Sequence, residues 1–268
     1  MSKKETKEVA VKAANAPMVY EMDQSLLEAL PAAESNDIEI PRLTMVQPTS
    51  KLDGNPGDVI DSTTNQKVIG AGEKLKFVPI WFFKDFAISE VDDKGREKKW
   101  LRNEPKSENN AHYSLMDNRF GEENGVQITR KERLNLFVVR ESDLGGDDLP
   151  RVYRVVLKPS SFKEAKKFLT EWDIQRRSRL VPFSYYWSVT PKVISNDKGK
   201  FAIYEFAKEM EGGKQRQVTQ EQFQAVQFWV KTLAQNKEVV MKQDVADEED
   251  GGQVDASAIQ HEAGKLNY

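Results

Sequence analysis

Apolar residues recur in this chain with two periods, and the switch between them separates strands from two helices. Leu75 to Ile88 (LKFVPIWFFKDFAI) is apolar on both faces and rich in β-branched and aromatic residues, which predicts a long central strand bent or bulged at Pro79. The second half of ITRKERLNLFVVR (128–140) alternates. Across the loop 142–150 it predicts a hairpin with RVYRVVLKPS, whose Tyr153, Val155 and Leu157 face one way and Val152, Arg154, Val156 and Lys158 the other. PFSYYWSV (182–189) returns through Ser195–Gly199 into KFAIYEFAK as another hairpin. One of its faces reads as core, and the other, bearing Tyr186 with Tyr204 or Phe206, as open to solvent. Val59-Ile60-Asp61 and Lys67-Val68-Ile69 form an extra hairpin, and the two prolines of IEIPRLTMVQP (38–48) assign it to an edge or covering strand. The polar stretch up to about Gly125 reads as long loops.

Helical spacing places Phe162, Ala165, Phe168, Leu169 and Trp172 on one side, starting from a capping box of Ser161 and Glu164. The last helix, TQEQFQAVQFWVKTLAQN, turns Phe223, Val226, Trp229, Val230 and Leu233 inward. Phe228 is left on the opposite side, as a contact for another subunit or segment.

Charge divides the chain further. Residues 151–242 carry 18 Lys+Arg against 9 Asp+Glu, whereas residues 243–268 carry 1 against 7, within an overall net charge of -3. Three parts are therefore expected: a flexible arm over 1–37, a single domain over 38–242 and an acidic tail over 243–268. No apolar run approaches the roughly 18 residues of a membrane span, and the basic N-terminus lacks the apolar stretch of a secretory signal, so the expected location is the cytoplasm.

Composition also excludes chemistry. With no cysteine and only His112 and His261, thiol catalysis, thiolate metal sites and a catalytic triad are set aside; no catalytic residue, metal or cofactor is expected, and the chain reads as a non-enzyme. Val68-Ile69-Gly70-Ala71-Gly72 opens like a dinucleotide fingerprint but has Leu75 where the third glycine belongs. Asp92-Asp93-Lys94-Gly95 lacks calcium-loop spacing, and Glu164-Ala165-Lys166, which mimics a piece of some metal-dependent nucleases, is better explained by capping.

About five strands with a helix between the third and fourth, aromatics on strand faces and cations around them predict a mainly β, α+β fold: an OB-type five-stranded barrel with an extra hairpin, a C-terminal helix and disordered ends. Such a barrel stacks unpaired bases on aromatic rings while Lys and Arg follow the phosphates. The candidates are Trp81, Trp100, Tyr153, Tyr186, Trp187 and Tyr204 for stacking, and Arg151, Arg154, Lys158, Arg176, Arg177 and Arg179 for phosphates. Core packing is the alternative for every one of these aromatics.

On Trp81–Ile88, the capped helix between RVYRVVLKPS and PFSYYWSV, the acidic run Asp244–Asp255 and Tyr268, the chain resembles the bacteriophage single-stranded DNA-binding proteins. IPRLTMVQPTSK and PGDVIDSTTNQKVIG are similar to those of short-tailed phages with a giant virion RNA polymerase. The resemblance implies a core that coats single-stranded DNA in replication and recombination, and a tail that docks replication, recombination or transcription proteins through Asp247, Glu248, Glu249, Asp250 and Tyr268. Lys265 belongs to the same tip, although the acidic run stops well short of it. A strand-annealing recombination protein and a metal-dependent nuclease are the rival readings, and a regulator acting through its tail on RNA polymerase is compatible with the leading one.

Overall fold

The computed structural model describes residues 40–50, 52–115, 118–146, 149–196 and 199–242; the expected N-terminal arm and acidic tail lie outside them. Twelve strands and three α-helices follow one another. They are β1 (Arg42–Met45), β2 (Val59–Asp61), β3 (Gln66–Ile69), β4 (Leu75–Val91), β5 (Glu97–Pro105), β6 (Phe120–Glu123), β7 (Val126–Arg140) and β8 (Val152–Leu157), then α1 (Phe162–Arg177), β9 (Trp187–Asn196), β10 (Gly199–Lys208), β11 (Met210–Glu211), β12 (Lys214–Gln215), α2 (Gln220–Gln235) and α3 (Lys237–Lys242).

Ten strands form one mixed sheet in the order β10-β9-β4-β7-β8-β1-β2-β3, with β5 added to β4 and β6 to β7. The expected five-stranded OB barrel is not formed. Strands β10 and β3 end the order without pairing to each other, so no hydrogen-bonded ladder closes the sheet. Side chains link the β1–β2 region to β10 instead. Gln47 Nε2 donates to the Ala202 carbonyl (3.1 Å), the Ala202 N–H donates to Gln47 Oε1 (2.9 Å), and the Tyr204 hydroxyl donates to the Leu43 carbonyl (3.3 Å).

Strands β4 and β7 run for 17 and 15 residues because each serves two partners in turn. Leu75–Phe77 of β4 pairs with β9 and Asp85–Val91 with β5; Leu134–Val139 of β7 pairs with β8 and Val126–Thr129 with β6. The shared hairpin thus continues out of the body as a four-stranded antiparallel extension, which replaces the loops expected up to Gly125. Inside it Arg130 lies over the Tyr113 ring (4.2 Å), and its guanidinium passes close over Gly121, where a Cβ would sit 2.6 Å from Nη1 and displace it. The irregularity expected at Pro79 is present as a register shift against β7.

Both faces of the body are covered, by different helices. On one, α1 packs Ala165, Phe168, Leu169 and Trp172 against Leu43, Leu134, Leu136, Val155 and Leu157. On the other, α2 sets Val226 and Leu233 against Val78, Ile80, Phe137, Val139 and Val152. This double covering makes β4, β7 and β8 apolar on both sides. It also corrects the solvent face expected on β9 and β10, since Tyr186, Tyr204 and Phe206 are buried. Strand β1 is corrected too: it lies inside the sheet, antiparallel to β2 and parallel to β8, with Pro41 just before it and Pro48 beyond it.

The capping box falls on the other helix. Ser161 makes no capping hydrogen bond, a 3-10 turn (Pro159–Ser161) leads into α1, and Glu164 binds Lys167 instead (2.8 Å). At α2 the Thr219 hydroxyl accepts from the Gln222 N–H while the Gln222 side chain accepts from the Thr219 N–H.

Candidate partner-docking surface

Four of the six aromatic rings expected to meet nucleic acid lie in the core. Tyr153, Tyr186, Trp187 and Tyr204 are buried. Tyr153 is flanked by Arg140 (4.3 Å) and Arg151 (5.4 Å), and Trp187 packs edge-on against Phe168 (4.9 Å). Tyr186 lies under Arg216 (4.4 Å) and donates to Gln222 (2.9 Å). Burial pushes the Tyr204 phenol far above its ordinary pKa. Trp81 is half-buried between Phe83 (5.7 Å) and Phe137 (5.5 Å), and half-buried Trp100 donates to Asn103 (3.1 Å).

The cations divide between inside and outside. Arg154 is buried, lies over Phe83 (5.3 Å) and binds Asn135 through Nε and Nη2 (3.0 and 2.8 Å). Arg151 faces Asp61 (3.6 Å), and Lys158, half-buried, precedes the 3-10 turn. Arg176, Arg177 and Arg179 alone gather in the open, at the end of α1. Asp247, Glu248, Glu249, Asp250, Lys265 and Tyr268 lie outside the described residues.

That end of α1 is built in an unusual way. The Leu180 N–H donates to the Gln175 carbonyl (2.9 Å) and the Arg179 N–H to the Arg176 carbonyl (3.1 Å), the paired bonds of a Schellman motif. Glycine favours the left-handed position of this motif; here Arg179 holds it, at φ 58°. Three large apolar side chains stay in water around the turn: Ile174 (51% exposed), Leu180 (49%) and Val181 (37%). A fourth comes from the β11–β12 hairpin. Met210 (57% exposed) pairs with Gln215, whose side chain receives a hydrogen bond from Gln175 of α1 (3.1 Å).

The corner is held to the body and carries excess positive charge. Gln215 donates to the Tyr186 carbonyl (3.2 Å), and Arg216 binds Glu141, a hydrogen bond that raises the guanidinium pKa. Arg176 and Arg177, with side chains 70% and 77% exposed, share Asp173 (3.1 and 2.6 Å), and Arg179 adds a third guanidinium. Lys214 stands opposite Glu211. Arg176 and Arg177 thus share one carboxylate in a stretch that also leaves Arg179, Ile174, Leu180 and Val181 exposed.

A family model described as Pam3 phage gp34-like protein matches residues 9–236. The chain belongs to this family. No curated protein and no solved structure matches the chain. Membership in this phage family replaces the resemblance to single-stranded DNA-binding proteins, since the sheet is not the closed OB barrel on which that reading and its coating mechanism depend. The strand-annealing alternative invoked the same basic surface. Glu164, the acidic residue of the nuclease-like piece, is engaged by Lys167, and no group of three or more His, Asp or Glu able to hold a metal occurs among the described residues. Among those residues, too, no helix is long and apolar enough to cross a membrane.

Sequence reasoning found the three arginines but not the apolar residues beside them. One signal was available. At 100° per residue Ile174 lies roughly 180° from the core stripe of α1, as far from it as Phe228 is from the stripe of α2. Leu180, Val181 and Met210 carry no such signal, because their exposure depends on where the chain goes after the helix.

Proposed function

We propose that this member of the Pam3 gp34-like family works by binding rather than catalysis, and that the corner at the end of α1 docks an acidic, apolar segment of a protein partner. The supporting observation is the coincidence of Ile174, Leu180, Val181 and Met210 in water with Arg176, Arg177 and Arg179 beside them. Large apolar side chains left in water beside charged ones are characteristic of interaction surfaces. Fully burying a side chain of this size contributes about 1.5–3 kcal/mol, so covering four half-exposed ones contributes about 4 kcal/mol. The arginines add speed and selectivity for negative partners. An Arg in the left-handed position costs about 1 kcal/mol relative to Gly, a strain that is intelligible if the guanidinium is used.

Fluorescence anisotropy with labelled synthetic peptides tests this reading. A peptide alternating Asp/Glu with Leu/Phe binds, and binding weakens with salt; the same peptide without its apolar residues, or with Lys for Asp/Glu, does not bind. The Leu180→Ser/Met210→Ser pair weakens binding at least about tenfold, the equivalent of 1.4 kcal/mol. Equal binding by this variant, or by the basic peptide, overturns the proposal.

A further inference from the structure

We infer that α2 binds α2 of a second copy of the chain, antiparallel across a twofold axis; this stands apart from the reading of the corner. The helical period shows which face is free. Counting 100° per residue from Phe228, the positions Glu221, Gln224, Lys231 and Gln235 fall within about 60° of it, and all five residues are exposed. Val226 and Leu233, on the far side, hold the helix to the sheet. Phe228 is 50% exposed although its ring meets Trp229 edge-on (5.6 Å). Trp229 in turn is fixed by its Nε1–H bond to the Pro150 carbonyl (2.7 Å), and Leu149, just before that proline, is 51% exposed.

Composition separates this face from that of α1. There exposed charges find partners within the helix, Lys167 with Glu164 and both Arg176 and Arg177 with Asp173. Helix α2 has two charged residues in sixteen, Glu221 and Lys231, with glutamine or alanine at the other exposed positions around Phe228. An aromatic side chain in a surround depleted of charge is the composition of an interface centre.

Spacing identifies the occupant. Glu221 and Lys231 are ten residues apart, about 15 Å along the axis, so they cannot pair with each other. Neither has an ion-pair partner among the described residues. Two antiparallel copies satisfy both at once. Placing Glu221 opposite the partner's Lys231 generates the same pair again at the other end of the contact, because the twofold exchanges the copies. Between the two pairs each Phe228 lies against the partner's Gln224. Parallel packing would instead set Glu221 on Glu221 and Lys231 on Lys231, so of the two orientations the face is complementary to itself only in the antiparallel one. From Glu221 to Gln235 it measures about 21 Å, shorter than a standard interface requires, so the dimer is weak and depends on concentration.

The test uses the full chain in sedimentation equilibrium from about 1 µM to 1 mM, the range of weak association. The wild type rises to twice its monomer mass, and Phe228→Ser raises the dissociation constant at least about tenfold. Glu221→Lys and Lys231→Glu each weaken association alone, since each brings like charges together. An equimolar mixture of these two variants restores it, because every ion pair of the mixed dimer then joins opposite charges, and so does the double variant Glu221→Lys/Lys231→Glu. Thermal melts by circular dichroism verify that the variants fold like the wild type, as substitutions at exposed positions should. A wild type that stays monomeric throughout the range overturns the dimer. A dimer unaffected by Phe228→Ser and by the single charge variants overturns the choice of α2. Weakening by folded single variants without recovery in the mixture overturns the antiparallel pairing.

Discussion

Replacing Asp85 by Asn removes a charge from the middle of the sheet while keeping its shape, and the consequence can be worked from the geometry. Asp85 is fully buried where β4 leaves the body for the extension. Arg133 holds both its oxygens, through Nε at 3.0 Å and Nη2 at 2.6 Å, and Arg154 Nη2 approaches to 3.9 Å; both guanidiniums are buried as well. A buried ion pair adds little over an apolar pair of the same volume, but removing one partner strands the opposite charge in a medium of low polarity, at a cost of about 3–5 kcal/mol. Two arginines face the lost carboxylate here, which puts the expectation at about 4 kcal/mol, a large share of the roughly 5–15 kcal/mol stability of an ordinary domain. Urea unfolding followed by tryptophan fluorescence measures it. With a slope of about 2–3 kcal/mol per molar, the midpoint moves down by about 1.5 M. The double variant Asp85→Leu/Arg133→Met recovers part of the loss, because it removes both members of the directly bonded pair while Arg154 still loses the nearby carboxylate. A loss below about 1 kcal/mol for Asp85→Asn would refute the reasoning, since it would mean that the site is effectively solvated.

Four further outcomes follow from single features. Arg179→Gly relieves the left-handed residue at the end of α1 and raises stability by about 0.5–1 kcal/mol in thermal unfolding, while weakening binding of the acidic–apolar peptide. Gln47→Glu leaves an acceptor where the Ala202 carbonyl needs a donor, and lowers stability by about 1–3 kcal/mol in urea titration. Thr219→Ala removes the cap of α2 and costs about 1 kcal/mol, whereas Ser161→Ala gives up only the bond its hydroxyl accepts from the Tyr204 N–H; first-turn amide exchange accelerates in α2 for the first variant and is unchanged in α1 for the second, and acceleration in both would contradict the assignment. Burial alone would raise the Glu132 pKa, but hydrogen bonds from Lys84, Lys106 and Ser114 and the charge of Lys84 outweigh it, so the carboxyl lies below its ordinary 4.5. Its stabilisation is therefore complete above about pH 4.5 and lost as pH falls through the depressed value; in acid titrations of stability, Glu132→Gln flattens this fall.

Local pattern determined the elements of this protein. The continuous apolar run found β4, the period-2 runs found β7, β8 and the β9–β10 hairpin, and the 3.6-residue stripes found the buried faces of α1 and α2 and the exposed Phe228, because these properties depend on neighbours within a few residues. The missed elements β5 and β6 are polar strands whose pairing, not their composition, makes them strands. Architecture was decided at longer range. The parallel pairing of Arg42 and Leu43 with Arg154 and Val155 joins segments more than a hundred residues apart, and no local period encodes such a pairing. Charge misled for the same reason: the excess of 18 cations over 9 carboxylates in 151–242 gives no warning that Arg154 is buried and that Lys167, Lys192 and Lys208 have carboxylate partners. Aromatic alternation was read correctly as strand and wrongly as an open face, since helices cover both sides of the sheet. The three arginines were visible in the chain. Only the path taken after α1, through the left-handed Arg179, left Leu180 and Val181 in water next to them, because exposure belongs to the packed molecule and not to the residue.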